Sequence, residues 1–258
     1  MAQALLPLKD LVQAKTRLGG LLRPSERRAL AQAMAEDVLA VLAGHAELSR
    51  ITLVSDDPGA ALLAHKYGAD CWSERALACS GLNNLMQCAS ERLTASSHEP
   101  LLVLHCDLPL LTHDDISAVL AAERELDGLV IGCDRQGTGT NLLAFAAGAM
   151  PRFCFGPDSC AAHAASADSA GIRARILQRL GIMVDVDEPA DLAYVMDRLP
   201  LRPNSHTAAL LYATELGARI ALALATMIDS SGSVEGVEGV EGVEGLAGVE
   251  GIDRGTFN

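Results

Sequence analysis

Aromatic side chains are scarce in this chain: Phe, Trp and Tyr make up 3% of its 258 residues, although half of all residues are hydrophobic. Any core must therefore be built from Leu, Ala, Val and Ile. Basic charge is short as well, with 20 Lys and Arg against 33 Asp and Glu and a formal net charge of −13. Seven acids against Arg254 from Asp229 onward account for −6 of that, which leaves −7 on the remainder. A generally acidic surface excludes a coat for DNA or for an anionic membrane, so neither nucleic acid nor membrane is expected as a partner. The seven cysteines form no C-x-x-C and no metal-finger spacing. Several lie in apolar runs, which suits reduced, buried thiols in a cytosolic protein. No basic segment followed by a long apolar stretch opens the chain, and no span reaches the ~18 apolar residues of a membrane helix. A cytoplasmic protein is expected. Nucleophilic catalysis finds no Cys–His or Ser–His–Asp arrangement, and the Walker pattern G-x-x-x-x-G-K-[ST] is absent.

What is present centres on Leu101-Leu102-Val103-Leu104-His105-Cys106-Asp107-Leu108-Pro109, a continuous apolar run closing on one carboxylate. Such a run reads as a strand buried on both faces, with Asp107 where it leaves the sheet. Open α/β sheets bind ligands at those carboxyl ends. A second acidic strand end, Val184-Asp185-Val186-Asp187, follows a predicted strand over 182–185. Two residues apart in extended chain, Asp185 and Asp187 face the same side, and converging carboxylates call for a cation or a proton between them. The alternative is a solvated strand end and helix cap.

Around these ends the chain alternates strand and helix. Ala2–Leu8 reads as a first strand, and the loop after it carries Lys9, Lys15 and Arg17, which suits phosphate but also suits a solvated surface. A helix over 24–43 places Leu30, Met34, Val38 and Val41 on one face. Further strands are expected at 51–54, 69–72 and 128–133, and helices at 58–67, 83–93, 113–126 and 189–199. Asn83 and Asn84 open one helix and would cap it or read a base. Gly137-Thr138-Gly139-Thr140-Asn141 fits an anion-holding loop or a hairpin turn. Ser159 stands at a helix start, as an N-cap or a phosphate contact. His105 reads as a packed histidine within the strand run, and His163 is left open. The pattern predicts an α/β fold with an open, mostly parallel sheet covered by helices. Three regions follow: a domain over 1–202, an Ala/Leu-rich accessory helix over 203–228, and an acidic tail over 229–258. In that tail Val-Glu-Gly recurs without proline, so disorder is expected rather than a collagen-like helix.

Five segments, in order, resemble one enzyme family: Pro7-Leu8-Lys9 with Ala14-Lys15-Thr16-Arg17-Leu18; Asp107-Leu108-Pro109-Leu110-Leu111-Thr112; Gly137–Asn141; Phe155-Gly156-Pro157-Asp158-Ser159 with His163; and Asp185-Val186-Asp187-Glu188-Pro189-Ala190-Asp191-Leu192. Across residues 3–199 the chain resembles the CofC family of guanylyltransferases. The resemblance implies a single Rossmann-like nucleotidyltransferase domain. It also implies transfer of GMP from GTP to a phosphorylated three-carbon acid (2-phospholactate, phosphoenolpyruvate or 3-phosphoglycerate), with release of pyrophosphate, in biosynthesis of the deazaflavin coenzyme F-420. Carried over by motif, Asp107, Asp185 and Asp187 would bind Mg²⁺. Thr140, Gly156 and Ser159 would hold the acid, Lys9, Lys15 and Arg17 the GTP phosphates, and Asn83 the nucleotide. Asp107, Lys15 and Arg17 would act in catalysis. GTP and the acid are the expected partners, with hand-over of product to a downstream transferase, and the oligomeric state is left open. Where relatives often carry Gly-Pro-Gly-Ser-Phe, this chain has Gly156-Pro157-Asp158-Ser159-Cys160, which bears on the choice of acid. Two alternatives stand beside this reading: a nucleotidyltransferase for a sugar phosphate or the molybdenum cofactor, and a non-catalytic nucleotide-binding scaffold.

Overall fold

The computed structural model describes residues 1–11, 13–201 and 204–232. Arg202 and Pro203, at the expected domain boundary, lie outside the described residues, as do residues 233–258 with the Val-Glu-Gly repeat.

Strand β1 (Ala2–Pro7) leads through a 3₁₀ turn (Thr16–Gly20) into α1 (Pro24–Ala43) and β2 (Leu48–Val54). Then follow α2 (Pro58–Lys66), β3 (Asp70–Trp72), the single turn α3 (Glu74–Leu77) and α4 (Leu82–Ser96). The central β4 (Leu101–Leu104), α5 (His113–Leu126), β5 (Leu129–Cys133), β6 (Thr140–Phe145), α6 (Ser159–Ser169) and β7 (Ala174–Leu177) complete the sheet. One-turn α7 (Leu180–Met183), α8 (Pro189–Arg198), α9 (His206–Tyr212) and α10 (Leu216–Gly232) close the described chain. The sheet runs β3-β2-β1-β4-β6-β5-β7, with β6 antiparallel to both of its neighbours and all other pairs parallel. β1 connects outward to β2 and β3, whereas β4 lies on its other side, so a topological switch point falls between β1 and β4. Ligands of open α/β sheets bind at such points.

The apolar run of β4 is explained by its surroundings: Leu101 to Leu104 are all fully buried, because helices cover both faces of the sheet. One face packs on α1, α2 and α5 through Leu39, Leu63 and Val119, and the other on α4 and α6 through Met86 and Ala167. A third apolar cluster joins the 3₁₀ turn to α8, α9 and α10 through Leu18, Val195, Leu211 and Ile220.

Three expectations need correction. First, residues 182–185 form no strand, since Ile182 and Met183 belong to α7. Gly181 admits this turn: a Cβ there would stand 2.7 Å from the Leu110 carbonyl and 2.9 Å from Leu111 Cα. Short apolar runs do not distinguish a strand from a packed turn. Second, the single accessory helix is two helices, α9 and α10, meeting at 77°. The bend brings Gly217 against the Leu211 carbonyl, 2.4 Å from where a Cβ would stand, which only glycine tolerates. Third, four of the cysteines are paired, Cys79 with Cys88 and Cys133 with Cys160, leaving Cys71, Cys106 and Cys154 free. The partners are 9 and 27 residues apart, and the second pair meets only because α6 folds back over β5. Reduction is expected to cost about 3 kcal/mol per bond through the freed unfolded chain. Peptide mapping without reductant should recover both pairs, and alkylation of these four cysteines in native protein would contradict it.

The C-terminal helices pack on the domain itself. Asp37, buried midway along α1, accepts hydrogen bonds from Ser205 Oγ (2.7 Å), the His206 N–H (2.5 Å) and the Thr207 N–H (3.1 Å). One carboxylate thus satisfies the first turn of α9 and complements its dipole. This second contact also explains why α1 buries Asp37 beyond the predicted stripe; Leu42 is buried in the sheet-facing cluster, against which half-exposed Val41 packs. Asp37→Ala should cost about 3 kcal/mol, because three donors lose a charged acceptor. A thermal melt with an unchanged midpoint would contradict that. Among the described residues, no single helix is long and apolar enough to cross a membrane.

Candidate active site

A cleft of about 1140 Å³ opens above the carboxyl ends of β1, β2 and β4, at the switch point. The loop after β1 lines it with Lys9 and Lys15, the segment after β4 with His105 and Asp107, and the segment before α8 with Asp187.

Lys15 has φ 55° and ψ 43°, a left-handed backbone that costs a non-glycine residue on the order of 1 kcal/mol. This kink drives its side chain inward. The ammonium lies 2.5 Å from Asp107 Oδ2 and 2.8 Å from Asp187 Oδ1, with only 8% of the side chain exposed. Burial alone would discharge it, but the carboxylates of Asp107 and Asp187 outweigh burial and hold its pKa above the ordinary lysine range. Asp107 is the mirror case: burial pushes its carboxyl up, Lys15 pulls it down, and the net shift is downward. Its second oxygen, Oδ1, is buried with no hydrogen-bond partner.

Residues 184–187 keep the predicted alternation without joining the sheet: Val184 and Val186 are buried, and Asp185 and Asp187 point the other way. The Val186 N–H donates to the Asp107 carbonyl at 3.3 Å, tying the two acidic segments together. Asn141 Nδ2 donates to Asp185 Oδ1 at 3.0 Å and to the Ile182 carbonyl at 2.9 Å. Burial and then the charge of Asp107 raise the Asp185 pKa to about 6, against the help of Asn141. Asp185 therefore feels the charge of both other aspartates, and the Lys15 ammonium pairs with Asp107 and Asp187 only.

Hard carboxylate oxygens, one of them orphaned on Asp107, beside the Asp185 carboxyl, whose pKa burial and then Asp107 raise, are donors of the kind that a divalent cation would take. Among the described residues no three acidic, His or Cys side chains stand as a ready-made ligand cluster. The ammonium of Lys15 lies against both Asp107 and Asp187, where it supplies the charge that the carboxylates demand.

The remaining predicted residues divide. Lys9 lines the cleft. Arg17 lies at its margin, mostly exposed, paired with Glu188 at 3.1 Å. Thr140 and Ser159 are each buried, at the starts of β6 and α6, and neither lines the cleft. The glycine–threonine loop is the β5–β6 hairpin turn, closed by the Asp134 N–H to the Gly139 carbonyl, and its Thr138 carbonyl receives the Cys160 N–H. Asp158 adopts φ 52°, a left-handed backbone that glycine takes without strain and Asp is among the few other residues to tolerate. Asn83 neither caps α4 nor lines the main cleft: its carboxamide is bound to the backbone of Phe155. Sequence reasoning missed Asn141, whose signal lay only in its place beside Thr140, and the cleft-lining Arg28 and Arg75, which resemble solvated helix charges.

One histidine lines the cleft and another is buried outside its lining. His105 lines the cleft with its ring edge-on to Phe155, 5.3 Å between centroids, and burial lowers its pKa, leaving it neutral. His163 is fully buried; the Cys154 N–H donates to its Nε2 at 2.9 Å, so the ring proton sits on Nδ1, 3.1 Å from Thr140 Oγ1. Burial depresses the His163 pKa to about 4. A histidine held neutral in the folded state contributes fully above its unfolded pKa of about 6.5, and that stability is lost as pH falls from there toward 4, up to about 3 kcal/mol. Urea titrations at pH 7 and 4.5 should show this slope in the wild type and a shallower one in His163→Asn.

The pattern described as "Guanylyl transferase CofC like" matches residues 2–199. A phosphoenolpyruvate guanylyltransferase of Rubrobacter xylanophilus is 37% identical over 191 residues, covering 74% of this chain and 91% of its own. One from Chloroflexus aggregans is 35% identical over 187 residues, with 71% and 91% covered. In fold, a crystal structure of a putative nucleotide-diphospho-sugar transferase from Desulfovibrio desulfuricans superposes with TM-score 0.72 at 18% identity, over 86% of this chain and 99% of that one. The switch-point cleft, its paired acidic segments and the matching span of sequence agree: this chain belongs to the CofC-like guanylyltransferase family.

Proposed function

We propose that this guanylyltransferase moves GMP from GTP to the phosphate of a phosphorylated three-carbon acid in F-420 biosynthesis, with phosphoenolpyruvate the first acceptor to test. The observation that carries the reading is Lys15 lodged between Asp107 and Asp187 at the mouth of the nucleotide-sized cleft. An acceptor phosphate oxygen attacks the α-phosphorus of GTP, the bond from that phosphorus to the β-phosphate bridge oxygen breaks, and pyrophosphate leaves. Because the attacking oxygen is already ionised, no general base is required, in keeping with a cleft whose lining histidine, His105, is held neutral by burial. The obstacle is repulsion between two polyanions, which positive charge must offset.

Asp107, Asp185 and Asp187 would hold Mg²⁺, which when bound offsets charge on the phosphates. Lys9 and Lys15 meet the triphosphate from the loop after β1. Arg17 joins them by exchanging Glu188 for phosphate, and Arg28 and Arg75 stand along the same cleft. Thr140, Gly156 and Ser159 hold the acid; His163 donates to Thr140 Oγ1, leaving the threonine hydroxyl proton free to donate to an anion. The phosphoenolpyruvate named in the curated relatives supports that acid first. The product of such a transfer is a reactive phosphoanhydride, which favours hand-over to a downstream transferase.

The test is GTP-dependent pyrophosphate release with Mg²⁺, offering phosphoenolpyruvate, 2-phospholactate and 3-phosphoglycerate separately. Release with one acid establishes acceptor and reaction together. Tight GTP binding without release for any of them would overturn the acceptor class.

A further inference from the structure

We propose that Asn83 is a positioning residue for the acceptor half of the site, not a nucleotide contact, acting by gripping the backbone of Phe155. Its Oδ1 accepts the Phe155 N–H at 2.6 Å and its Nδ2 donates to the Phe155 carbonyl at 3.0 Å. A carboxamide that engages both polar groups of one residue imitates a peptide neighbour in a β-ladder, and here it reaches across 72 positions of sequence. The ring of Phe155 is held as firmly: edge-on to His163 at 5.0 Å and His105 at 5.3 Å, and stacked on Phe153 at 5.9 Å. The preceding residue is fixed too, since the Cys154 N–H donates to His163.

This fixation stops abruptly at the next residue. Gly156 is exposed, takes φ 139°, and has no atom within 4 Å of where a Cβ would stand. Gly156-Pro157-Asp158 therefore hangs as a turn between two anchors, Phe155 on one side and buried Ser159 on the other. Asn83 sets the first anchor. The main cleft reaches Gly81, Leu82 and Leu85 but not Asn83, which lines an adjoining cavity of about 640 Å³ beside Met150 and Phe153; the two share Gly81 and Leu82. A side chain so placed governs where Gly156 begins, and misplacing a binding segment by even an ångström is costly to the step it serves.

The inference rests on the reading that Gly156 and Ser159 hold the acid. Steady-state kinetics with each substrate varied in turn separates the two. Asn83→Ala is expected to raise the acceptor KM about 10-fold while the GTP KM stays within about 2-fold. Asn83→Asp keeps the acceptor for the Phe155 N–H, places its charge favourably in the first turn of α4, and sets a carboxylate against the Phe155 carbonyl. It should fold and show the same selectivity, so it carries the test if the alanine variant does not fold. Amide exchange at Phe155 should quicken in either variant without any substrate. A GTP KM that rises as much as the acceptor KM, or two unchanged KM values, overturns the assignment. No acid-dependent turnover in the wild type would instead sink the acceptor reading, while faster Phe155 exchange would still show the grip.

Discussion

Asp107→Asn should lower kcat by at least about 10³-fold, equivalent to roughly 4 kcal/mol of transition-state stabilisation, while leaving a folded protein that binds GTP. Asn keeps the shape of the side chain and removes its charge. Asp107 shares the buried ammonium with Asp187, is joined through its backbone to the second acidic segment, and keeps an orphaned oxygen. The stability loss should be small by comparison, about 1–3 kcal/mol, because Lys15 retains Asp187. Wild-type turnover in this variant would remove the carboxylates from the mechanism.

Lys15→Met should cut turnover by a similar factor and strengthen divalent-ion binding in the same protein. The ammonium now neutralises Asp107 and Asp187 at 2.5 and 2.8 Å. Without it three carboxylates remain near one another, with the Asp185 pKa raised to about 6 by burial and then by the charge of Asp107. Carboxylates so placed either take up protons or bind a cation more tightly. Calorimetric titration with Mg²⁺ reads the affinity and pyrophosphate release reads the turnover. Weaker Mg²⁺ binding in Lys15→Met would show that Lys15 and the ion do not compete for the same carboxylates. Lys15→Arg should not rescue turnover, since a planar fork does not fit where a compact ammonium is buried.

Much of this site was legible in sequence, for reasons that differ by residue. Asp107 stood out because β4 is buried on both faces, so one carboxylate ended an otherwise apolar run. Asp185 and Asp187 were legible through the period-two alternation with Val184 and Val186, even though that segment joins no sheet. β6 escaped notice because its apolar residues run without a break into Ala146 and Ala147, and its place between β4 and β5 is a long-range fact. The left-handed backbone of Lys15 has no sequence signature, yet it aims the ammonium at the acids. Asn83 misled because an Asn pair at a helix start has local uses, whereas its partner lies 72 residues away. Asp37 was hidden within a helix whose second face is covered only once α9 returns to it.

The central claim is that a new phosphoanhydride forms between the α-phosphorus of GTP and the phosphate of a three-carbon acid. Phosphorus-31 NMR of the wild-type protein with GTP, Mg²⁺ and phosphoenolpyruvate observes that bond directly. The account predicts two mutually coupled resonances from the new linkage, appearing together with pyrophosphate. Pyrophosphate accompanied only by free GMP would contradict it, because the α-phosphorus would then have gone to water.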